Sequence, residues 1–338
     1  MDVFSASDMT TQPPIFVVGA SRSGTTLLRL ILNAHPSIAM PDELSYFTLF
    51  KRVPTPWNTT LDPRLYGTLI DRFLAQNEPV LSGVDLGQLR IAMMEGPPTI
   101  RTPYAKALDA WAAAEGKPCW GEKTPHNVFY VPELYAMFPE ARFVHMVRDP
   151  RAVVHSMNNF RRCSSNTVAN AGNWRTFMER GAAVLERTVP ASQRTTLHFE
   201  ALTSTPEPVL LQLCNFLQIP FNPDMLAFHE RAGDYMHPVY TKLGGAQTVT
   251  KPINTKTKAR WQTEMASIDV ATVEYMCGTW MNVYGYDRSG ARLSPSDHAR
   301  LMPERAYCQY KRWQHRHDRV HLIHYEMPWT SSSPHDNG

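Results

Sequence analysis

Gly19-x4-Gly24-Thr25-Thr26 is the stretch of this chain best suited to hold an anion. Glycines allow a tight turn whose successive backbone N–H groups face inward, and a helix starting there adds the positive end of its dipole. The nucleotide-hydrolase form of such a loop carries Lys directly after the second glycine. Here Thr25 holds that place, and Arg22 inside the loop supplies the charge instead. Mg-nucleotide chemistry is disfavoured on that count, and an ordinary glycine turn is the plain alternative. A second anion-holding pair lies further along. Arg148 ends a β-rich run, where open α/β sheets bind ligands, and Ser156 stands eight residues on, two turns into the next helix. A guanidinium donates two coplanar bonds to one phosphate and a hydroxyl can add a third. Taken singly, Arg148 reads equally as an ion-pair partner of Asp149 at a helix cap, and Ser156 as a solvated helix residue.

The elements that must position these residues follow from pattern. Ile15 to Val18 is a short apolar run that fits a buried strand, Gly19 to Gly24 a loop, and Thr25 to Asn33 a helix with Leu27, Leu28, Ile31 and Leu32 on one face. A helix is expected over Pro125–Phe138 and a strand over Phe143–Val147. The corner Arg148-Asp149-Pro150 follows, with Asp149 as N-cap and Pro150 in the first turn. Thr195–Phe199 reads as a strand, followed by a helix from Pro206 to Leu217. Strands alternating with helices imply a parallel sheet with helices on its faces. Residues 51–118 are broken by Pro54, Pro56, Pro63, Pro79, Pro97, Pro98 and Pro103, carry helices over 62–74 and 102–114, and hold Trp57, Tyr66, Phe73, Tyr104 and Trp111.

Composition narrows the classes. The 338 residues are 43% hydrophobic and 19% charged, which supports a sizeable core and excludes a disordered chain. A net charge of +3 is too mild to argue for nucleic acid or a membrane surface. The five cysteines lie at least 31 residues apart and form no CxxC. Neither a disulfide framework nor a zinc knuckle is readable, and the thiols suit a reducing compartment. Met1 to Pro14 shows no signal pattern and no apolar run spans a bilayer, so a cytoplasmic protein is expected. His315, His317, His321 and His324 lack acidic or Cys partners at ligand spacing, so a surface face is expected there and no metal.

Taken together, Pro14-Ile-Phe-Val-Val-Gly-Ala-Ser-Arg-Ser-Gly-Thr-Thr-Leu27 and Phe143-Val-His-Met-Val-Arg-Asp-Pro-Arg-Ala-Val-Val-His-Ser156 resemble the 5′-phosphosulfate loop and the 3′-phosphate segment of the sulfotransferases that use PAPS (3′-phosphoadenosine 5′-phosphosulfate). Trp120-Gly-Glu-Lys-Thr-Pro125 resembles that family's lysine-bearing strand end, His198-Phe-Glu-Ala-Leu202 its Tyr-Glu-Asp-Leu segment, and Thr250 through Trp261 its late cofactor loop. The resemblance covers about residues 13–285 and is closest to the bacterial, carbohydrate and tyrosylprotein branch. It implies a P-loop-like three-layer α/β fold with a central, mostly parallel sheet flanked by helices. It also implies a sulfotransferase domain over 13–287 with a substrate-side helical insert at 51–118, after a flexible stretch at 1–12; residues 288–338, rich in His, Arg and Trp and poor in aliphatics, are expected to be a peripheral extension.

The resemblance further implies in-line transfer of a sulfuryl group from PAPS to a hydroxyl or amine, without a metal. The backbone of Ser23, Gly24, Thr25 and Thr26 would cradle the 5′-phosphate, and Arg22 and Lys123 would neutralise developing charge. Arg148 and Ser156 would hold the 3′-phosphate, Lys251 would be a further cofactor ligand, and Trp174 would stack on adenine or pack in the core. Glu43, in Pro41-Asp-Glu-Leu-Ser-Tyr-Phe47, is the expected general base, with neighbouring Asp42 easily mistaken for it. His126, just after the Lys-Thr pair, is the second candidate. Departures are Ala20 for the common Pro and Phe199 for the usual Tyr. A small molecule, a saccharide or a peptide tyrosine all remain open as acceptor, the aromatics of the insert suiting each. The rival classes are a small-molecule kinase with a P-loop and a non-catalytic nucleotide-binding protein.

Overall fold

In a computed structural model of the chain, the strand-loop-helix unit is β1 (Ile15–Gly19) running into α1 (Thr25–Ala34), followed by β2 (Ile38–Ala39). The structure describes residues 12–44, 46–50, 58–160, 163–235, 249–255 and 259–314. The four C-terminal histidines, Trp57, Lys256, Lys258 and the flexible stretch expected at the start lie outside them, apart from its last residue. Next come α2 (Pro63–Asn77), α3 (Leu86–Glu95), α4 (Arg101–Ala114), β3 (Cys119–Glu122), α5 (Val131–Met137) and β4 (Arg142–Val147). Then follow α6 (Pro150–Asn158), α7 (Thr167–Phe177), α8 (Ala183–Thr188), β5 (Arg194–His198), α9 (Phe199–Ser204) and α10 (Pro206–Leu217). The chain closes on α11 (Trp261–Glu264), α12 (Ser267–Val283) and α13 (Pro295–Gln314). Two compact units result, residues 1–147 with 181–254 and residues 148–180 with 255–338.

The first unit holds the sheet, in the order β2-β3-β1-β4-β5, and every pairing is parallel. Strand alternation decides its two faces. Ile15, Val17, Val144 and Met146 pack with Leu27, Leu28 and Ile31 of α1 and with Leu210 and Leu213 of α10 in one buried cluster. Phe16 points the other way and meets Trp120, Phe138 and Phe143 at ring distances of 5.3–5.9 Å. The result is helix, sheet and helix, the expected three-layer α/β fold.

Two departures from the sequence expectation have physical causes. The helix expected over 125–138 is a 3-10 turn, Pro125–Tyr130, and then α5. Pro132 has no N–H to give the carbonyl of Val128, so it can sit only in the first turn of a new helix. In the insert, Tyr66, Phe73, Tyr104 and Trp111 are buried, with Tyr104 at 0% exposure. Phe73 and Tyr104 pack on Tyr46, and all four rings are interior and not a surface for an acceptor ring.

The second unit is helical. Cys308 of α13 is buried with Val168 and Ala169 of α7, so the stretch expected to be a peripheral extension supplies a packed twenty-residue helix. Among the described residues no helix is long and apolar enough to cross a membrane.

Candidate active site

Gly19 ends β1 with φ 150°, and a Cβ there would stand 2.4 Å from the carbonyl oxygen of Met146 on β4. The loop then turns, with the Ser23 N–H donating to the Ala20 carbonyl at 3.1 Å and Arg22 held at φ 69°. Gly24 lies against the Phe199 ring, 2.4 Å from where a Cβ would be. This gives the Phe that departs from the resembling motif a packing role instead of a polar one. The first bond of α1 is Leu28 N–H to Gly24 O at 3.0 Å, so the amides of Thr25, Thr26 and Leu27 precede it and are left for a ligand. The first turn of α1 has no acidic residue to compete for that place.

Whether an anion fits is answered by Ser23. Its hydroxyl is buried and has no hydrogen-bond partner among the described residues, a costly state that an anionic oxygen would relieve. The expected backbone cradle therefore changes at its first member. Ser23 has spent its amide inside the loop and offers its hydroxyl.

Beside the loop, Lys123 leaves the end of β3 with its side chain 1% exposed. Its ammonium donates to Glu43 Oε1 and, at 3.4 Å, to Thr26 Oγ1, and lies 3.8 Å from Asp42 Oδ1. The two acidic neighbours thus part company. The Asp42 carboxylate sits between Lys123 and Arg29, 3.9 Å from the latter, and accepts the Glu43 N–H at 2.9 Å. Glu43 keeps its side chain 39% exposed while reaching the lysine. A general base needs an orienting partner and room for an acceptor, and Glu43 has the lysine as partner and an exposed side of its carboxylate. The His126 ring stands on the 3-10 turn, 6.4 Å from that of Phe129.

Sequence reasoning overlooked Arg29, which interrupted an apolar run. It is 1% exposed on α1 and also donates to the Tyr235 carbonyl at 2.8 Å and the Met40 carbonyl at 3.5 Å. The phosphate-loop helix therefore holds the turn that carries Asp42 and Glu43. A lone Arg among leucines was the available signal. Glu122, preceding the lysine, was also passed over.

In the second unit Arg148 is 7% exposed. Asp149 caps α6 by accepting the Arg151 N–H at 2.8 Å, and its carboxylate takes the Arg151 guanidinium at 2.7 Å. Arg151 also reaches Glu274 at 2.6 Å and lies over the Trp261 ring at 4.0 Å. Removing one member leaves buried charge uncompensated, so Arg151→Met should lower stability by about 3–5 kcal/mol, read from denaturant melts. Ser156 is half-buried on α6. His155 is bonded to Glu264 at 3.0 Å, which also holds Arg260 at 2.8 Å. Lys251 is exposed. Trp174 has 0% exposure, so no face of its ring is open to an adenine and the stacking role is withdrawn in favour of core packing. Among the described residues no group of three or more His, Cys, Asp or Glu is placed to hold a metal ion.

A model of the sulfotransferase family matches residues 13–223. Protein-tyrosine sulfotransferase 1 of Danio rerio is 27% identical over 259 residues, covering 74% of this chain and 65% of that protein. The protein-tyrosine sulfotransferase of Drosophila melanogaster is 25% identical over 283 residues, covering 81% and 52%. The chain thus spans less than two thirds of these curated relatives. The solved sulfotransferase domain of the Synechococcus PCC 7002 olefin synthase superposes with a TM-score of 0.57 at 22% identity, covering 84% of this chain and 98% of that one, a likeness of fold.

Proposed function

Because the chain belongs to the sulfotransferase family, we propose that it moves a sulfuryl group from PAPS to an acceptor hydroxyl and releases 3′,5′-adenosine bisphosphate. The observation that carries this reading is the single hydrogen-bonded cluster of phosphate-loop hydroxyl, cation and carboxylate formed by Thr26, Lys123 and Glu43. PAPS supplies an activated sulfuryl group whose S–O bond to the 5′-phosphate breaks as the acceptor oxygen bonds to sulfur.

The chain's own residues do the rest by alignment and charge. Glu43 takes the proton leaving the acceptor oxygen. Lys123, with three donors and two hydrogen bonds made, offers the third to oxygens that gain charge, and Arg22 adds a second cation. The Ser23 hydroxyl and the amides of Gly24, Thr25 and Thr26 hold the 5′-phosphate. Arg148 and Ser156 take the 3′-phosphate by resemblance, and Lys251 joins them. The names of the zebrafish and fly relatives favour a peptide tyrosine as acceptor.

The test is calorimetry of 3′,5′-adenosine bisphosphate against AMP. One charge-assisted phosphate contact is worth about 1.5–3 kcal/mol, so about a 10- to 100-fold preference is expected for the bisphosphate. Equal affinities would remove Arg148 and Ser156 from the site. Transfer from labelled PAPS to tyrosine peptides, saccharides and phenols reads the chemistry. Bound donor with no transfer to any of them would mark a binding protein.

A further inference from the structure

We infer that Glu122 is a positioning residue for this reaction: its buried carboxylate ties the end of β3, which carries Lys123, to the following turn and to α4. The inference rests on the reading of the site given above. Glu122 is 1% exposed. Its Oε1 accepts the Thr124 hydroxyl at 2.5 Å, and its Oε2 accepts the Asn127 side-chain amide at 2.5 Å. That amide also reaches the Tyr104 hydroxyl at 3.2 Å, and the Tyr104 hydroxyl bonds the same carboxylate. Tyr104 in turn stacks on Tyr46 at 4.8 Å, three residues beyond Glu43. The lysine and its carboxylate partner each stand one short stretch of chain from one buried cluster.

A packing role alone would not call for an acid here, because a carboxyl among aromatic rings is expensive to bury. Burial pushes the Glu122 carboxyl up to about 7. The Thr124 bond, the Lys123 charge and the Tyr104 bond oppose the rise, and the Glu43 charge adds to it. Ionised, both oxygens accept. Protonated, one oxygen becomes a donor, so the bond it accepted must reverse or break, and the tie on either side of Lys123 is rearranged.

The sign of the stability effect follows. The folded carboxyl titrates near 7 against an ordinary 4.5. Its contribution is therefore fully present below about pH 4.5 and is lost as pH rises through 7.

The test uses the full chain as wild type, Glu122→Gln and Tyr104→Phe. In the unliganded protein, denaturant stability measured from about pH 4.5 to 7 should fall less in Glu122→Gln than in wild type. In turnover, wild type should lose kcat as pH drops through about 7. Glu122→Gln should lack that acid limb. Well above neutrality its kcat should be lower by about 10- to 100-fold, from misplacement of the lysine, with the donor KM within about threefold of wild type. Tyr104→Phe removes both bonds of that hydroxyl, to Asn127 and to Glu122, and no charge. It should keep the limb and lose less kcat, which tests the network should Glu122→Gln fold poorly. Wild-type kcat and pH profile in Glu122→Gln, or an unchanged stability slope, would overturn the inference. A wild type that binds donor but transfers nothing overturns the functional reading instead, and the stability slope still tests the titration of Glu122.

Discussion

Glu43→Gln is expected to slow turnover about a thousandfold while leaving the affinity for 3′,5′-adenosine bisphosphate within about threefold of wild type. The substitution keeps the shape of the side chain and removes its ability to take a proton. General-base catalysis is worth about two to four orders of magnitude, and the loss should fall on kcat because the carboxylate acts on the acceptor and not on the nucleotide. The lysine complicates the sum. Lys123 is bonded to Glu43, so neutralising the acid frees the ammonium for the anion and can tighten nucleotide binding slightly. A drop in kcat with unchanged or improved nucleotide affinity separates a base from a structural residue. Unchanged kcat would pass the role to His126, which His126→Asn would then have to abolish.

The second large effect is on the fold. Gly19→Ala should cost at least about 4 kcal/mol of stability and is expected to give little soluble protein. Two terms add. At φ 150° an L side chain is strained, and the new methyl would lie 2.4 Å from the Met146 carbonyl oxygen, inside the central β1–β4 pairing. Gly83→Ala separates the terms, since Gly83 has φ 94° and nothing within 4 Å of its would-be Cβ. That change should cost only about 1 kcal/mol. Equal losses in the two variants, read from denaturant midpoints, would mean that the contact with β4 contributes nothing.

The parts of this molecule legible in sequence are those written in local pattern. A short apolar run, two glycines and an amphipathic helix mark β1, the loop and α1 because strand, turn and helix each leave a signature within about ten residues. Lys123 and Glu43 are 80 residues apart. No periodicity links them, and only the family resemblance brought both forward. Arg29 and Glu122 stayed hidden for a different reason. A buried charge is meaningful only through its partners, and the Met40 and Tyr235 carbonyls, Thr124 and Asn127 become partners only after folding. The insert misled because aromatic residues suit a core and a binding surface alike. Exposure decides between these, and sequence does not carry it. The helix α13 was missed because little of it is apolar and Cys308 is its one buried residue, so it presents no clear hydrophobic stripe.

The bonds of Arg29 make α1 a common beam. On the proposed reading its first turn would face the 5′-phosphate, and one turn further in it grips the segment that ends in Glu43. On that reading the spacing between electrophile and proton acceptor would be built into a single stiff rod, so that drift of one would drag the other. Changes of acceptor during divergence must then be made in segments outside this frame, since any attempt to re-aim the base through α1 would also disturb the grip on the donor.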